Sequence, residues 1–231
     1  DMLTGGYNRR GFIHNSENIF RHCADRTDYA VLYFNVRNFK AVNELLGIDT
    51  GDSVLRTIYK NLRSSSLKPC VVARVEADQF TCLVEKKNLD FDALSGLCEW
   101  NFTKKGKTMH IFCGCGIFFV ENKEMSINGM IDRAKLAKKY ITDEYVKPYN
   151  IYDASMKSYY IDRAELAGEL RNGLAQEQFK VYYQPVVDAK TGEIRSAEAL
   201  IRWVHPKRGF VSPAIFIPAL EESGHISELD F

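Results

Sequence analysis

The sequence predicts an α/β fold, and three observations carry that expectation. Tyr29–Val36 (YAVLYFNV) is a nearly continuous apolar run, the pattern of a strand covered on both faces by helices. Strand-like runs alternate with segments at helical spacing over about the first 150 residues, with one tight hairpin among them. A chain of 231 residues can hold one large domain or two small ones around a real hydrophobic core. Hydrophobic residues at 45% and charged residues at 26% exclude a disordered tail, a collagen-like fibre and a disulfide miniprotein.

Asp1 to Phe12 reads as a polar lead-in and Asn15 to Ala24 as a helix. After the Tyr29–Val36 strand a helix starts near Phe39 and breaks at Gly47. A second helix is expected from Ser53 to Leu62, with Asp52 at its start, where a carboxylate meets the positive dipole end. Cys70 to Val75 and Gln79 to Glu85 read as strands joined at hairpin spacing through Glu76-Ala77-Asp78, without the usual glycine. A helix from Phe91, a strand from Met109 to Val120, a helix from Ile127 to Tyr140 and a short strand from Tyr149 to Tyr152 complete an α/β sandwich. Composition then changes. Tyr160 to Glu177 carries Ile161, Leu166, Leu170 and Leu174 near helical spacing, as a connecting helix that packs on the C-terminal segment. Lys180 to Val187 and Glu193 to Trp203 are strand-like around the turn Lys190-Thr191-Gly192, and Pro213 to Glu222 starts as a loop and becomes helical. The expected division is 1–153, a connecting helix over 154–178, and 179–231.

Charge and cysteine usage narrow the function class. Lys plus Arg number 31 against 30 acids, a net charge of +1, which speaks against a nucleic acid polymer held by bulk charge. The longest apolar run, Ile111–Val120, is half the roughly 20 residues of a membrane-spanning helix. With no signal-peptide pattern either, the chain reads as soluble and cytoplasmic. The six cysteines form no CxxC pair and are expected as buried reduced thiols, with Cys113 and Cys115 on one strand face. His110, His205 and His225 have no partner at metal-ligand spacing.

Four stretches taken together resemble the GGDEF family, which makes cyclic di-GMP from two GTP molecules: DMLTGGYNRRGF (1–12), FNVRNFKAVNELLG (34–47), GDSVL (51–55) and ARVEADQF (73–80). The chemistry needs carboxylates to hold magnesium on a triphosphate and glycines to let backbone approach phosphate. By that resemblance the signature pentapeptide falls on Glu76, Ala77, Asp78, Gln79 and Phe80, so both glycines are gone. Asp78 keeps the metal-binding acid, and Gln79 replaces the acid after it. The first strand's metal aspartate falls on Asn35, and a phosphate-contacting lysine on Thr142. Lys40 occupies the family's phosphate-proximal lysine position, and Asn43 and Asp52 its guanine-reading positions. The residues alone leave other roles open: Asp52 as a helix cap, Asn43 as a solvated side chain, Lys40 as a surface charge. The product-inhibition motif RxxD would fall on Leu67-Lys68-Pro69-Cys70 and is absent. The resemblance implies a cyclase-inactive regulatory unit with vestigial nucleotide contacts, GTP as a candidate ligand, and homodimer contacts.

FKVYYQPVVDAKTGEIRSAEALIRWVHP (179–206) and SPAIFIPALEESGHI (212–226) are similar to the start of the EAL family. That family is a TIM-type barrel that hydrolyses cyclic di-GMP with Mg2+ or Mn2+. The fold expected is therefore a GGDEF-type α/β sandwich followed by a truncated barrel start. At strand period Glu198, Leu200 and Arg202 share a face and Ala197, Ala199, Ile201 and Trp203 the other. The resemblance makes Glu198 a metal ligand, Arg202 a phosphate clamp, and Gln184 and Leu200 substrate contacts. A buried structural Glu198–Arg202 ion pair is the alternative on residues alone. From Phe179 on there are 53 residues, against roughly 250 in a whole barrel. The expectation is a piece of a cyclic di-GMP phosphodiesterase, inactive by itself. The alternative is a non-enzymatic cyclic di-GMP or GTP receptor.

Overall fold

The computed structural model describes residues 1–104, 107–121, 124–223 and 226–229. Two compact units divide at Met156 and Lys157.

In the first unit α1 (Arg9–His22) is followed by β1 (Tyr29–Val36), α2 (Phe39–Leu46), α3 (Ile48–Arg63), β2 (Val71–Glu76) and β3 (Gln79–Glu85). Then come α4 (Phe91–Gly96), β4 (Glu99–Lys104), β5 (Lys107–Phe119), α5 (Ile127–Lys139) and β6 (Tyr149–Ile151). The sheet order is β2-β3-β1-β5-β4, with β6 added parallel to β5. Strand β5 is long enough for two neighbours on one edge: its first half pairs with β4 and its second with β6. Each face of the sheet carries a core. Leu32, Phe34, Phe80 and Cys115 pack with Val54, Leu55 and Ile58 of α3. Val31, Tyr33 and Phe118 pack with Phe12 and Phe20 of α1 and Met130, Ile131 and Ala134 of α5. Residues 29–34 and Val36 of β1 are accordingly buried, and its apolar run has the physical cause expected of it.

Four local features differ from the expectation. Helix α1 begins at Arg9, because the Asn8 side chain caps it by accepting from the Gly11 amide at 3.0 Å. Helix α3 begins at Ile48, directly after Gly47, so Asp52 lies in its second turn and caps nothing. Strand β4 has no counterpart among the expected elements; its stability comes from antiparallel pairing with β5, a non-local term. Of the cysteines, Cys82, Cys98, Cys113 and Cys115 are buried as expected, but Cys23 is half-buried and Cys70 exposed. Burial pushes the Cys98 thiol up to about 12.

Helix α6 (Ala154–Ala175) leads into the second unit, which continues with β7 (Phe179–Val187), β8 (Ile194–His205), β9 (Gly209–Val211) and α7 (Pro213–Ser223). The three strands form an antiparallel sheet in the order β7-β8-β9. Its core is small: Trp203 is fully buried, stacked on Phe179 at 5.0 Å and edge-on to Phe216, with Leu166 and Leu170 of α6 and Leu220 of α7 around it. The Trp203 indole donates to Gln178 Oε1 at 2.9 Å, so its polar atom is satisfied inside the core. Helix α7 starts at Pro213 itself rather than after a loop, since proline is preorganised for a first helical turn. Among the described residues no helix is long and apolar enough to cross a membrane.

Candidate functional site

The first site lies where β1 ends. Asn35 sits between two neighbours, opposite Gln79 of β3 and Gly114 of β5. The β2–β3 hairpin turns through Ala77 and Asp78. Ala77 adopts a φ of 36°, a left-handed backbone that favours glycine. That turn aims Asp78 at Asn35: the Asn35 amide Nδ2 donates to Asp78 Oδ2 at 2.9 Å. Asp78 is half-buried, and desolvation raises its pKa above the usual carboxylate value. The Asn35 hydrogen bond and the charges of Lys138 and Arg74 offset part of that.

Arg74 of β2 clasps the same hairpin. Its Nε donates to the Ala77 carbonyl at 2.5 Å and its Nη1 pairs with Asp1 at 3.2 Å. Burial lowers the Arg74 pKa, and the charges of Asp52 and Asp78 work against that. Arg74 carries no signal in the sequence, since only the folded hairpin turns it back on its own tip.

Beside Asn35 opens a cavity of about 590 Å3 lined by residues 35–38 of the β1–α2 loop, by Lys138 of α5 and by residues 141–145. Thr142 is among its lining residues. The charges, however, come from residues that sequence reasoning missed. Lys138 Nζ lies 2.9 Å from Glu144 Oε1, Arg37 Nη1 lies 4.0 Å from Glu144 Oε2, and the Arg37 guanidinium rests over the Tyr145 ring at 4.6 Å. The remaining candidates stand elsewhere in the unit. Lys40 is exposed and paired with Glu44 at 3.6 Å, one turn along α2. Asn43 packs across the α2–α3 corner against Gly51, the residue before Asp52; a side chain at 51 would collide with its Oδ1. Asn35 and Asp78 are thus brought together, whereas Lys40 is not among the residues lining the cavity.

A magnesium pair does not fit these residues. Asn35 presents an N–H to Asp78, the acid of the hairpin, and no group of three His, Cys, Asp or Glu side chains arranged for a metal occurs among the described residues.

The second site is the face of the β7–β8 ladder. Gln184 stands opposite Glu198, Tyr182 opposite Leu200, and Lys180 opposite Arg202, so all six share one face. Gln184 and Glu198 are exposed; Leu200 and Arg202 are half-buried. No Glu198–Arg202 ion pair forms among the described residues: the guanidinium donates to the Ile201 carbonyl at 2.8 Å. Arg202 and Lys180 are like charges placed across from each other, an arrangement that an intervening anion relieves. Glu198 alone of this face is an acid suited to a divalent cation, so the set present here is incomplete. His205, given no role from its spacing, is buried and hydrogen-bonded to Glu169 of α6, while its Nδ1 accepts from the Lys207 and Arg208 amides at 3.2 Å. It locks the β8–β9 turn. His110 is exposed, and His225 lies outside the described residues.

Residues 1–140 match the family described as the diguanylate cyclase GGDEF domain, and residues 167–231 match the EAL domain. The chain belongs to the GGDEF family, with an EAL segment behind it. Among relatives, the uncharacterized protein y4lL of Sinorhizobium fredii is 31% identical over 99% of this chain and 28% of its own length. The cyclic di-GMP phosphodiesterase NbdA of Pseudomonas aeruginosa is 27% identical over 100% of this chain and 30% of its own. The chain therefore spans under a third of these relatives. The Vibrio cholerae LapD S helix-GGDEF-EAL structure, bound to cyclic di-GMP, shares the fold over 96% of this chain and 53% of its own, with a TM-score of 0.56 at 13% identity. The coiled coil and GGDEF domain of DgcB from Caulobacter crescentus matches 65% of this chain and 84% of its own at a TM-score of 0.53 and 17% identity.

Proposed function

We propose that this chain is part of a cyclic di-GMP signalling protein whose GGDEF unit no longer condenses GTP and instead regulates an EAL phosphodiesterase. One observation carries the first half: Asn35 Nδ2 donates to Asp78 Oδ2. An acid whose lone pair is already met by an internal amide offers a metal little, and turning the amide to present its oxygen would give up the bond for a neutral ligand. Gln79 supplies no second acid at the hairpin. The second half is supported by Glu198, exposed and without an ion partner among the described residues, opposite Gln184 and on one face with Arg202. NbdA, similar over the whole chain, is named a cyclic di-GMP phosphodiesterase. The divalent cation, Mg2+ or Mn2+, would take Glu198 as one ligand and supply the activated water for phosphodiester hydrolysis. The free cysteine thiols suit a cytoplasmic setting. GTP, or contacts with a second copy, would be the input through which the GGDEF unit acts.

The test is cyclic di-GMP hydrolysis by the full-length protein with Mg2+ or Mn2+, with and without GTP, beside its Glu198→Ala variant. The variant is expected to lose at least about a hundredfold in turnover, and GTP with magnesium is expected to yield no cyclic di-GMP. Product made from GTP would end the claim about the first unit. Unchanged hydrolysis by the variant would end the claim about the second. Binding without turnover in both proteins would mean a receptor.

A further inference from the structure

The cavity beside Asn35 holds two cations, and both face one carboxylate. Glu144 sits in the α5–β6 loop with its side chain only 14% exposed. Lys138, from the last turn of α5, is also mostly covered, and its ammonium touches Glu144 Oε1 at 2.9 Å. Arg37, from the loop after β1, approaches Oε2 at 4.0 Å from the other side and is steadied by the Tyr145 ring. The loop is pinned where the acid enters, since Asp143 Oδ1 accepts from the Tyr145 and Val146 amides at 2.8 and 3.3 Å.

The seat beneath the pair is built for it. A Cβ on Gly114 of β5 would stand 2.6 Å from Lys138 Cε and 2.7 Å from Glu144 Oε1, so the pair rests on bare backbone next to Asn35. A carboxylate held between an ammonium and a guanidinium uses the same donors that a phosphate oxygen would use.

We propose that Glu144 is an internal stand-in for a phosphate: its carboxylate occupies the Lys138 and Arg37 cations and keeps oxyanions out of the cavity. The loop bearing Glu144 is then an autoinhibitory latch, and displacing it turns a closed ion pair into an anion site. Removing the shared carboxylate takes the contacting partner from Lys138 and Arg37, with Asp78 left acting on Lys138 only through space, and this favours the uptake of a replacement anion. The inference rests on the reading that the GGDEF unit no longer makes product. The two can fail separately, because cyclic di-GMP synthesis tests that reading alone.

The experiment is calorimetric titration of inorganic pyrophosphate, in metal-free buffer at low salt, into the full chain and three variants. Glu144→Gln, which keeps size and removes charge, is expected to bind pyrophosphate at least roughly tenfold more tightly than the unaltered chain. Glu144→Ala is expected to show the same gain, so either variant decides should the other not fold. Glu144→Gln combined with Lys138→Met is expected to lose the gain. Equal affinity in the unaltered chain and in the Glu144 variants would overturn the latch, as would a gain that survives loss of Lys138.

Discussion

Two sets of polar side chains in this chain stand in opposite states. In the GGDEF unit they satisfy one another: Asn35 meets Asp78, Lys138 and Arg37 meet Glu144, and Arg74 meets Asp1 and the hairpin carbonyl. On the β7–β8 face Glu198 and Gln184 point to solvent, while Lys180 and Arg202 oppose each other with no acid between them. The first arrangement pairs its polar groups with one another. The second leaves Glu198 and Gln184 to solvent and gives the Arg202 guanidinium a backbone carbonyl. In the GGDEF unit these polar groups are met by internal partners, and a hydrophobic core lies on each face of the sheet.

The comparison is broken most severely by removing what holds the open face in place. Trp203→Ala deletes the fully buried centre of the second unit's small core. It is expected to cost about 3–5 kcal/mol, seen in urea as an early transition of that unit while the GGDEF unit unfolds at its usual midpoint. A single unshifted transition would show that Trp203 carries no such weight.

Next in size is a change at the Asn35–Asp78 pair. Asn35→Asp removes the donor to Asp78 and sets a second carboxylate beside it. We expect a loss of about 1–3 kcal/mol without metal, partly recovered when Mn2+ is added during unfolding. Recovery by metal would mean the cavity still retains a cation site. No recovery would mean the hairpin change at Glu76 and Ala77 has closed it as well.

The smallest effect is a pH dependence. Asp78 has a folded-state pKa raised above its ordinary value of 3.8, chiefly by desolvation. Between the two values its native form therefore holds a proton that the unfolded chain has released, and stability from this group falls as pH rises through that window. Asp78→Asn keeps an acceptor for Asn35 and has no charge to desolvate. It is expected to be slightly more stable than the unaltered chain at neutral pH, with the advantage gone once pH falls below the ordinary carboxylate value. An advantage that is the same at every pH would show that burial of the charge is not its source.

Much of this is legible in the residues themselves. The buried strand over 29–36, the Gln79–Glu85 strand, the Ile127 helix start and the Lys190-Thr191-Gly192 turn depend on local pattern and turn chemistry, which sequence carries directly. The shared face of Glu198, Leu200 and Arg202 follows from a period of two, and the ladder register agrees with it. The departures from the family at Asn35, Ala77 and Gln79 are plain in the letters. Strands β4 and β9 are not, because short strands hold their shape through partners distant in sequence.

Nor could the letters say which polar side chains meet one another in the GGDEF unit. Asn35 and Asp78 are 43 positions apart, and Lys138 and Glu144 meet on Gly114 of β5, more than twenty positions before either. Sequence by itself determined most of the element types and the family, since those are properties of local pattern and residue identity. Only the tertiary structure decided that the surviving charges turned inward on one another in the first unit and stayed outward on the second unit's ladder. Burial and the partner across a strand or helix are set by packing, and packing is where electrostatic free energy is decided.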